Sequence, residues 1–477
     1  MNTRREFIRL SAIGAAIGCT PLPISAIHSS RSLFGPEEGQ FLKACANGDT
    51  ETARKLLGGN PALLSSKDKE GRTGFALALL AGYGATAQFL KESGYEADLH
   101  EAALALDWDR FNALAEGRLA DIQTLINADH PIGGCAMWAA AAGGAGSGIW
   151  RVYSYCGDPN CNPRNERGST AVQRALRLPD LPNAEVTAAT LLSNYADPDP
   201  AANADLPPLH IAAERGSYEL VEMLIRLGAD ANRKDRNGRT PLQLAEKAGH
   251  EAVWHLIRDR DRINRTCRTS RAAFNADGQA YLLPELKGID SYRQIRMVGS
   301  SHGNLEYVQK ELEADPRTAH AIATTSERAV EACAHTGRKP IVELLLRHGA
   351  PYSLPTAVML NDTTTVKKLL DEDPNRIYER GAHDFALLWY PIIGGGDLPM
   401  MQLLLDRGAK VEEQHFLGTT ALHWACLRDS LEMVELLVEN GADVNRAGRK
   451  FRAEGERPLQ MAKDEQVAAF LRSRGAE

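Results

Sequence analysis

One block of this chain recurs after 33 residues. Pro208-Leu209-His210-Ile211-Ala212-Ala213-Glu214-Arg215-Gly216 returns as Pro241-Leu242-Gln243-Leu244-Ala245-Glu246-Lys247-Ala248-Gly249. A fixed period of this length means small units that cannot bury both of their faces alone and gain stability by stacking on one another. Each unit reads as two helices. Thr240 and Thr420 stand where a side chain can cap the first helix, and Pro241 occupies the position where a missing N–H costs nothing. Ala212, Ala245 and Ala425 keep that helix thin enough to lie close to its neighbour. Val221, Leu224 and Ile225 fall on one face of the second helix. Gly228 and Gly441 sit at its exit, where a left-handed residue is needed.

The pattern extends outward in weaker copies. Leu57, Leu90 and Leu114 are spaced by 33 and then 24 residues, and Leu312, Leu345 and Leu369 repeat that pair of spacings. A step of 24 leaves room for two helices but not for the turn that links one unit to the next. Gly48, Pro61 and Gly94 correspond to Gly303, Pro316 and Gly349 at an offset of 255, and Trp138 to Trp389 at 251. Gly168-Ser169-Thr170-Ala171 corresponds to Gly418-Thr419-Thr420-Ala421 at 250. This order implies an internal duplication. The motifs Gly418-Thr419-Thr420-Ala421-Leu422-His423-Trp424-Ala425 and Asn440-Gly441-Ala442-Asp443-Val444-Asn445 resemble the ankyrin repeat. That resemblance implies an all-α solenoid of paired antiparallel helices with finger-like turns, about thirteen units in two arms. The expected organisation is a first arm over 37–260 (about seven units), an irregular connector over 261–291 and a second arm over 292–474 (about six units).

The N-terminus, Thr3-Arg4-Arg5-Glu6-Phe7 followed by a soft apolar run to Gly18, resembles a twin-arginine export signal over residues 1–30. It implies export into the periplasm of a bacterium. Ala16-Ile17-Gly18-Cys19 loosely resembles a lipoprotein box, which would place a lipid on Cys19 and supply the chain's one link to a membrane. The eight cysteines are scattered and show no CxxC, so they read mainly as unpaired thiols. Ile132 to Trp150 carries no charge but holds six glycines, and reads as a tightly packed helix pair instead of a span. With 55 Lys+Arg against 62 Asp+Glu the net charge is −7, which argues against a grip on nucleic acid.

Reactive groups do not converge in the sequence. No phosphate-binding glycine loop, nucleophile elbow or close histidine–carboxylate metal motif occurs, so no cofactor and no metal are expected. Asp158, Asn160, Asn162 and Glu166 only faintly resemble a calcium loop. His210 and His423 occupy the ankyrin position whose imidazole braces adjacent fingers, and His302 a turn between helices. The expectation is therefore a monomeric, non-catalytic scaffold that binds a protein partner through inner helices and finger tips. Candidate contacts are Glu214, Arg215, Lys234, Arg236, His415, Phe416, Trp424 and Arg428. The competing reading is an enzyme or small-ligand-binding protein with a pocket in the irregular 132–204 stretch.

Overall fold

A computed structural model describes residues 35–160, 169–200, 206–260, 267–268, 286–323, 325, 327–415, 419–448 and 456–477. Arg4, Arg5, Cys19, Phe416, Asn162, Glu166 and most of the connector therefore lie outside the described residues. The chain divides into two compact units, Met1–Ala188 with Ala201–Asp205, and Ala189–Pro200 with Leu206–Glu477.

Both units are built from helix pairs. In the first, the helices Pro36–Ala46, Gly74–Leu80, Leu99–Leu104, Ala136–Gly143 and Ala171–Leu176 stack in succession, each on the next. In the second, Pro208–Arg215 stacks on Pro241–Ala248. Ser291–Ser301 begins another succession through Ala329–Ala334, Leu354–Met359, Trp389–Ile393 and Ala421–Leu427 to Pro458–Met461. Small residues set the approach of these first helices. Ala212, Ala245 and Ala425 are all fully buried. A Cβ on Gly143 would lie 2.3 Å from the carbonyl oxygen of Leu104, so this contact admits hydrogen alone. The charge-free 132–150 stretch thus becomes the helix Ala136–Gly143 followed by a short 3₁₀ turn. Among the described residues no helix is long and apolar enough to cross a membrane.

The 33-residue and 24-residue steps have different structures. Where the step is 33, a 3₁₀ turn (Pro61–Ser65 or Pro316–His320) leads into a finger closed by an antiparallel bridge, Lys67 to Thr73 or Ile322 to Arg328. These bridges stand 255 residues apart. Where the step is 24, Glu92 is joined to Leu99, and Arg347 to Leu354, by a short loop with no finger. Helix caps hold the same offset: Asp107 accepts from Arg110 N and Asp362 from Thr365 N. The residue before each cap, Leu106 or Asn361, has positive φ. The leucine series is buried at Leu57, Leu90, Leu312 and Leu345. At the short step the register shifts, and Ala115 and Leu370 enter the core in place of the half-buried Leu114 and Leu369.

Strand is nearly absent: Cys267–Arg268 pairs in parallel with Glu379–Arg380. Cys135 is disulfide-bonded, which departs from the reading of scattered thiols, while Cys45, Cys156, Cys333 and Cys426 are free and buried. The two motif histidines brace fingers as expected, His210 Nε2 donating to Arg239 O (3.0 Å) and His423 Nε2 to Glu456 O (3.1 Å). Thr420 does not cap through its hydroxyl, which bonds His423 Nδ1 at 2.9 Å. Nδ1 also accepts from Thr420 N.

His423 is therefore held neutral, and burial lowers its pKa to about 4. An unfolded histidine titrates near 6.5, so between pH 6.5 and 4 the unfolded chain takes a proton that the folded one refuses. The stability due to neutral His423 is complete above pH 6.5 and drains away as the pH falls through that window, by about 3 kcal/mol at most. Urea unfolding of wild type and His423→Gln across this range should show the steeper loss in wild type. Parallel pH profiles would contradict the assignment.

Candidate functional site

The expected docking residues separate into two groups. Glu214, Lys234, Arg236 and Arg428 are exposed and Arg215 is half-buried, at a helix end or on the finger between helices. Trp424 is half-buried, its Nε1 donating to Thr419 Oγ1 at 3.2 Å and its ring edge-on to Phe385. His415 must be corrected. It is 3% exposed, with its ring 4.4 Å from that of Phe385, and offers no surface to a partner. The two clearest depressions among the described residues lie elsewhere than 132–204, one beside Glu246 and Trp254. The other, about 240 Å³, is lined by Arg328, Glu331, Tyr352 and Arg376.

His415 is buried because a finger folds inward in the second unit. After the 3₁₀ turn Pro374–Tyr378, the bridge Arg380 to Ala386 closes a loop whose residues Ala382, His383, Asp384 and Phe385 are all buried. Two features permit this. A Cβ on Gly381 would lie 1.8 Å from the Tyr390 hydroxyl, so the chain passes flush against that ring. His383 and Asp384 both adopt positive φ, 55° and 65°, a conformation that His and Asp tolerate better than most side chains. The finger is tied down by Arg226, which donates Nη1 to Asp384 Oδ1 (2.9 Å) and Nη2 to Oδ2 (2.7 Å). Arg380 donates to Asp384 O and Gln414 O.

The inward finger brings His383 to three other polar side chains. Glu327, 4% exposed, points Oε1 at His383 Nε2 (3.2 Å), His335 Nδ1 (3.3 Å) and His302 Nε2 (3.5 Å). His302 and His335 end the helices Ser291–Ser301 and Ala329–Ala334, which stack on one another. Burial alone would raise the Glu327 carboxyl, but His383 and His302 hold it well below the usual range. Burial opposes charge on His302 too, yet Glu327 raises its pKa, whereas burial lowers that of His335 to about 3. Glu331, next along, is pushed up by burial to about 7. The sequence reading missed this centre. Its one readable signal was His302 and His335 standing a single 33-residue period apart.

A family model for ankyrin repeats (three copies) matches residues 136–235, 183–267, 354–448 and 388–476, together more than half of the chain. This chain is an ankyrin-repeat protein. Its repeats are 32% identical over 134 residues to the ARF GTPase-activating protein Git of Drosophila melanogaster, covering 25% of this chain and 18% of Git. They are 42% identical over 52 residues to the tyrosine-protein kinase HTK16 of Hydra vulgaris, covering 11% of this chain and 7% of the kinase. The chain thus spans less than a fifth of the length of these relatives. Among solved structures, the human ASB11 ankyrin repeat domain is 18% identical, with 57% of this chain and 98% of that one covered at a TM-score of 0.24.

Within the ankyrin-repeat stack, the Arg226–Asp384 pair is the anchor that can be tested most directly. The Asp384 side chain is fully buried and that of Arg226 is 11% exposed. Asp384→Ala leaves a buried guanidinium without its carboxylate and should cost about 3–5 kcal/mol in urea unfolding. A loss under about 1 kcal/mol would show that the finger is held inward by other contacts.

Proposed function

We propose that this ankyrin-repeat protein is an exported, non-catalytic scaffold that docks a protein partner in the bacterial cell envelope. Ankyrin repeats are protein-interaction scaffolds, and the observation that carries the reading is where this stack places its charge. Glu214, Lys234, Arg236 and Arg428 stay exposed at helix ends and on a finger while the helices behind them are closed by alanine and leucine. Such a surface binds by a few anchoring side chains, with Arg and aromatic residues dominating the energy. Trp424 and the 38%-exposed Leu427, beside Arg428, are the apolar part of such an anchor. The paired arginines Arg4 and Arg5 support export, with Cys19 as the residue to which a lipid would be attached. The disulfide at Cys135 suits an oxidising compartment.

Affinity capture from the native envelope fraction tests the docking face. Arg236→Glu with Arg428→Glu should reduce recovery of the partner by about 30-fold or more, as loss of an anchor worth 2 kcal/mol or more would. Lys368→Glu, on the exposed side of a second helix, should leave recovery unchanged. Equal recovery by all three proteins, or none above background, would remove the scaffold reading.

Export is tested apart from docking. Arg4→Lys with Arg5→Lys should retain the chain in the cytoplasm on cell fractionation, and normal export of that variant would remove the twin-arginine reading.

A further inference from the structure

The Glu327 centre poses a problem of charge and lone pairs that the scaffold reading leaves open. Asn194 Nδ2 donates to Thr190 O at 2.6 Å, which fixes its amide so that Oδ1 must accept from His383 Nδ1 at 2.8 Å. Nδ1 of His383 therefore carries its proton, and the neutral ring turns the lone pair of Nε2 toward Glu327. His302 repeats the arrangement: Nδ1 faces only the carbonyls of Val298 (3.1 Å) and Gly299 (3.2 Å), so its proton is there and Nε2 faces the same carboxylate. Glu327 Oε1 is fully buried and makes no hydrogen bond among the described residues. Two imidazole lone pairs thus converge on a carboxylate oxygen, and such an arrangement requires a cation.

The spacing indicates which cation. A charge-assisted N–H to carboxylate bond is about 2.7–2.9 Å long, shorter than all three contacts to Oε1. The edge of a ligand tetrahedron around an ion with bonds of about 2.0–2.1 Å is roughly 3.3 Å, and the contacts measure 3.2, 3.3 and 3.5 Å. One ligand atom from each of His302, Glu327, His335 and His383 falls within 4.8 Å of the others. Imidazole and carboxylate together suit a divalent first-row transition ion. We propose that His302, Glu327, His335 and His383 form a four-coordinate site for such an ion, of the zinc class. His302 and His383 bind through Nε2, with Val298, Gly299 and Asn194 orienting the rings from behind, as outer partners of ligating histidines do. His335 binds through Nδ1 in exchange for its bond to Glu331 O (2.9 Å). Four protein ligands, three of them less than a tenth exposed, describe a structural site, one that pins the inward finger to two successive helix ends.

The full chain, purified without chelator, stripped with EDTA and titrated with Co²⁺, supplies the test. The expected result is visible d–d absorption that saturates at one equivalent and disappears when Zn²⁺ is added. Asn194→Ala, which leaves all four ligands in place, should weaken Co²⁺ binding by about 10–100-fold. Glu327→Gln and His383→Ala should abolish the absorption. His130→Ala should not change it. His130 belongs to the other histidine group, where its Nε2 makes an ordinary 2.8 Å contact to Asp98 and its ring stacks on His100. Should the ligand variants fail to fold, the wild-type stoichiometry and the Asn194→Ala shift still decide the matter. A wild-type protein that shows neither Co²⁺ absorption nor a zinc-dependent rise in Tm would overturn the site and leave the centre held by protons. Folded Glu327→Gln or His383→Ala protein binding Co²⁺ as wild type does would overturn the ligand assignment.

Discussion

Every element of this protein depends on how closely its first helices can approach. A helix pair of six to ten residues a side buries one face at most, and water on the other would leave it unfolded. Stacking removes that water, and the distance at which it does so is set by alanine and glycine. Ala212, Ala245 and Ala425 are wholly buried, and Gly143 admits no Cβ because a backbone carbonyl of the next helix occupies the space. The second helices, with Leu90, Leu224 and Leu345, then close the other side. Their leucines supply most of the apolar area, but they reach it only because the first helices are thin.

Within that regular stack the finger at 379–386 is the exception. Its counterparts, closed by Lys67 with Thr73 and by Ile322 with Arg328, keep exposed or half-buried residues at their tips where the structure describes them. Here the tip is Ala382-His383-Asp384-Phe385, and it is buried. Burying a carboxylate demands a partner, which Arg226 provides from 158 residues away. Two consecutive non-glycine residues at positive φ persist only where surrounding structure over-determines them. Gly381 against Tyr390, the Arg226 fork and the Asn194 amide together do so. Docking on exposed fingers and the centre around Glu327 are therefore distinct properties, one of the regular surface and one of the irregular interior.

The sequence alone determined the repeat, the helix pairing and the places where fingers are missing. Spacings of 33 and 24 residues are set by chain geometry: two helices need about two dozen residues, and a finger adds the rest. The 255-residue offset was likewise readable from glycines and prolines, and it reappears in bridges, caps and the positive φ of Leu106 and Asn361. The brace made by His210 and His423 followed from motif position, because neighbouring units repeat the same local contact.

Tertiary structure decided what lies more than one unit apart. His415 looked like a fingertip residue because its neighbours in sequence are polar, but burial depends on the inward finger, which begins some thirty residues earlier. The His302, Glu327, His335 and His383 group escaped every motif scan for the same reason. Its ligands come from two helix ends and two fingers, and their spacing in sequence reflects no single turn of chain. Periodicity encodes contacts between successive units, whereas the packing of one irregular finger against distant side chains exists only once the whole stack has formed.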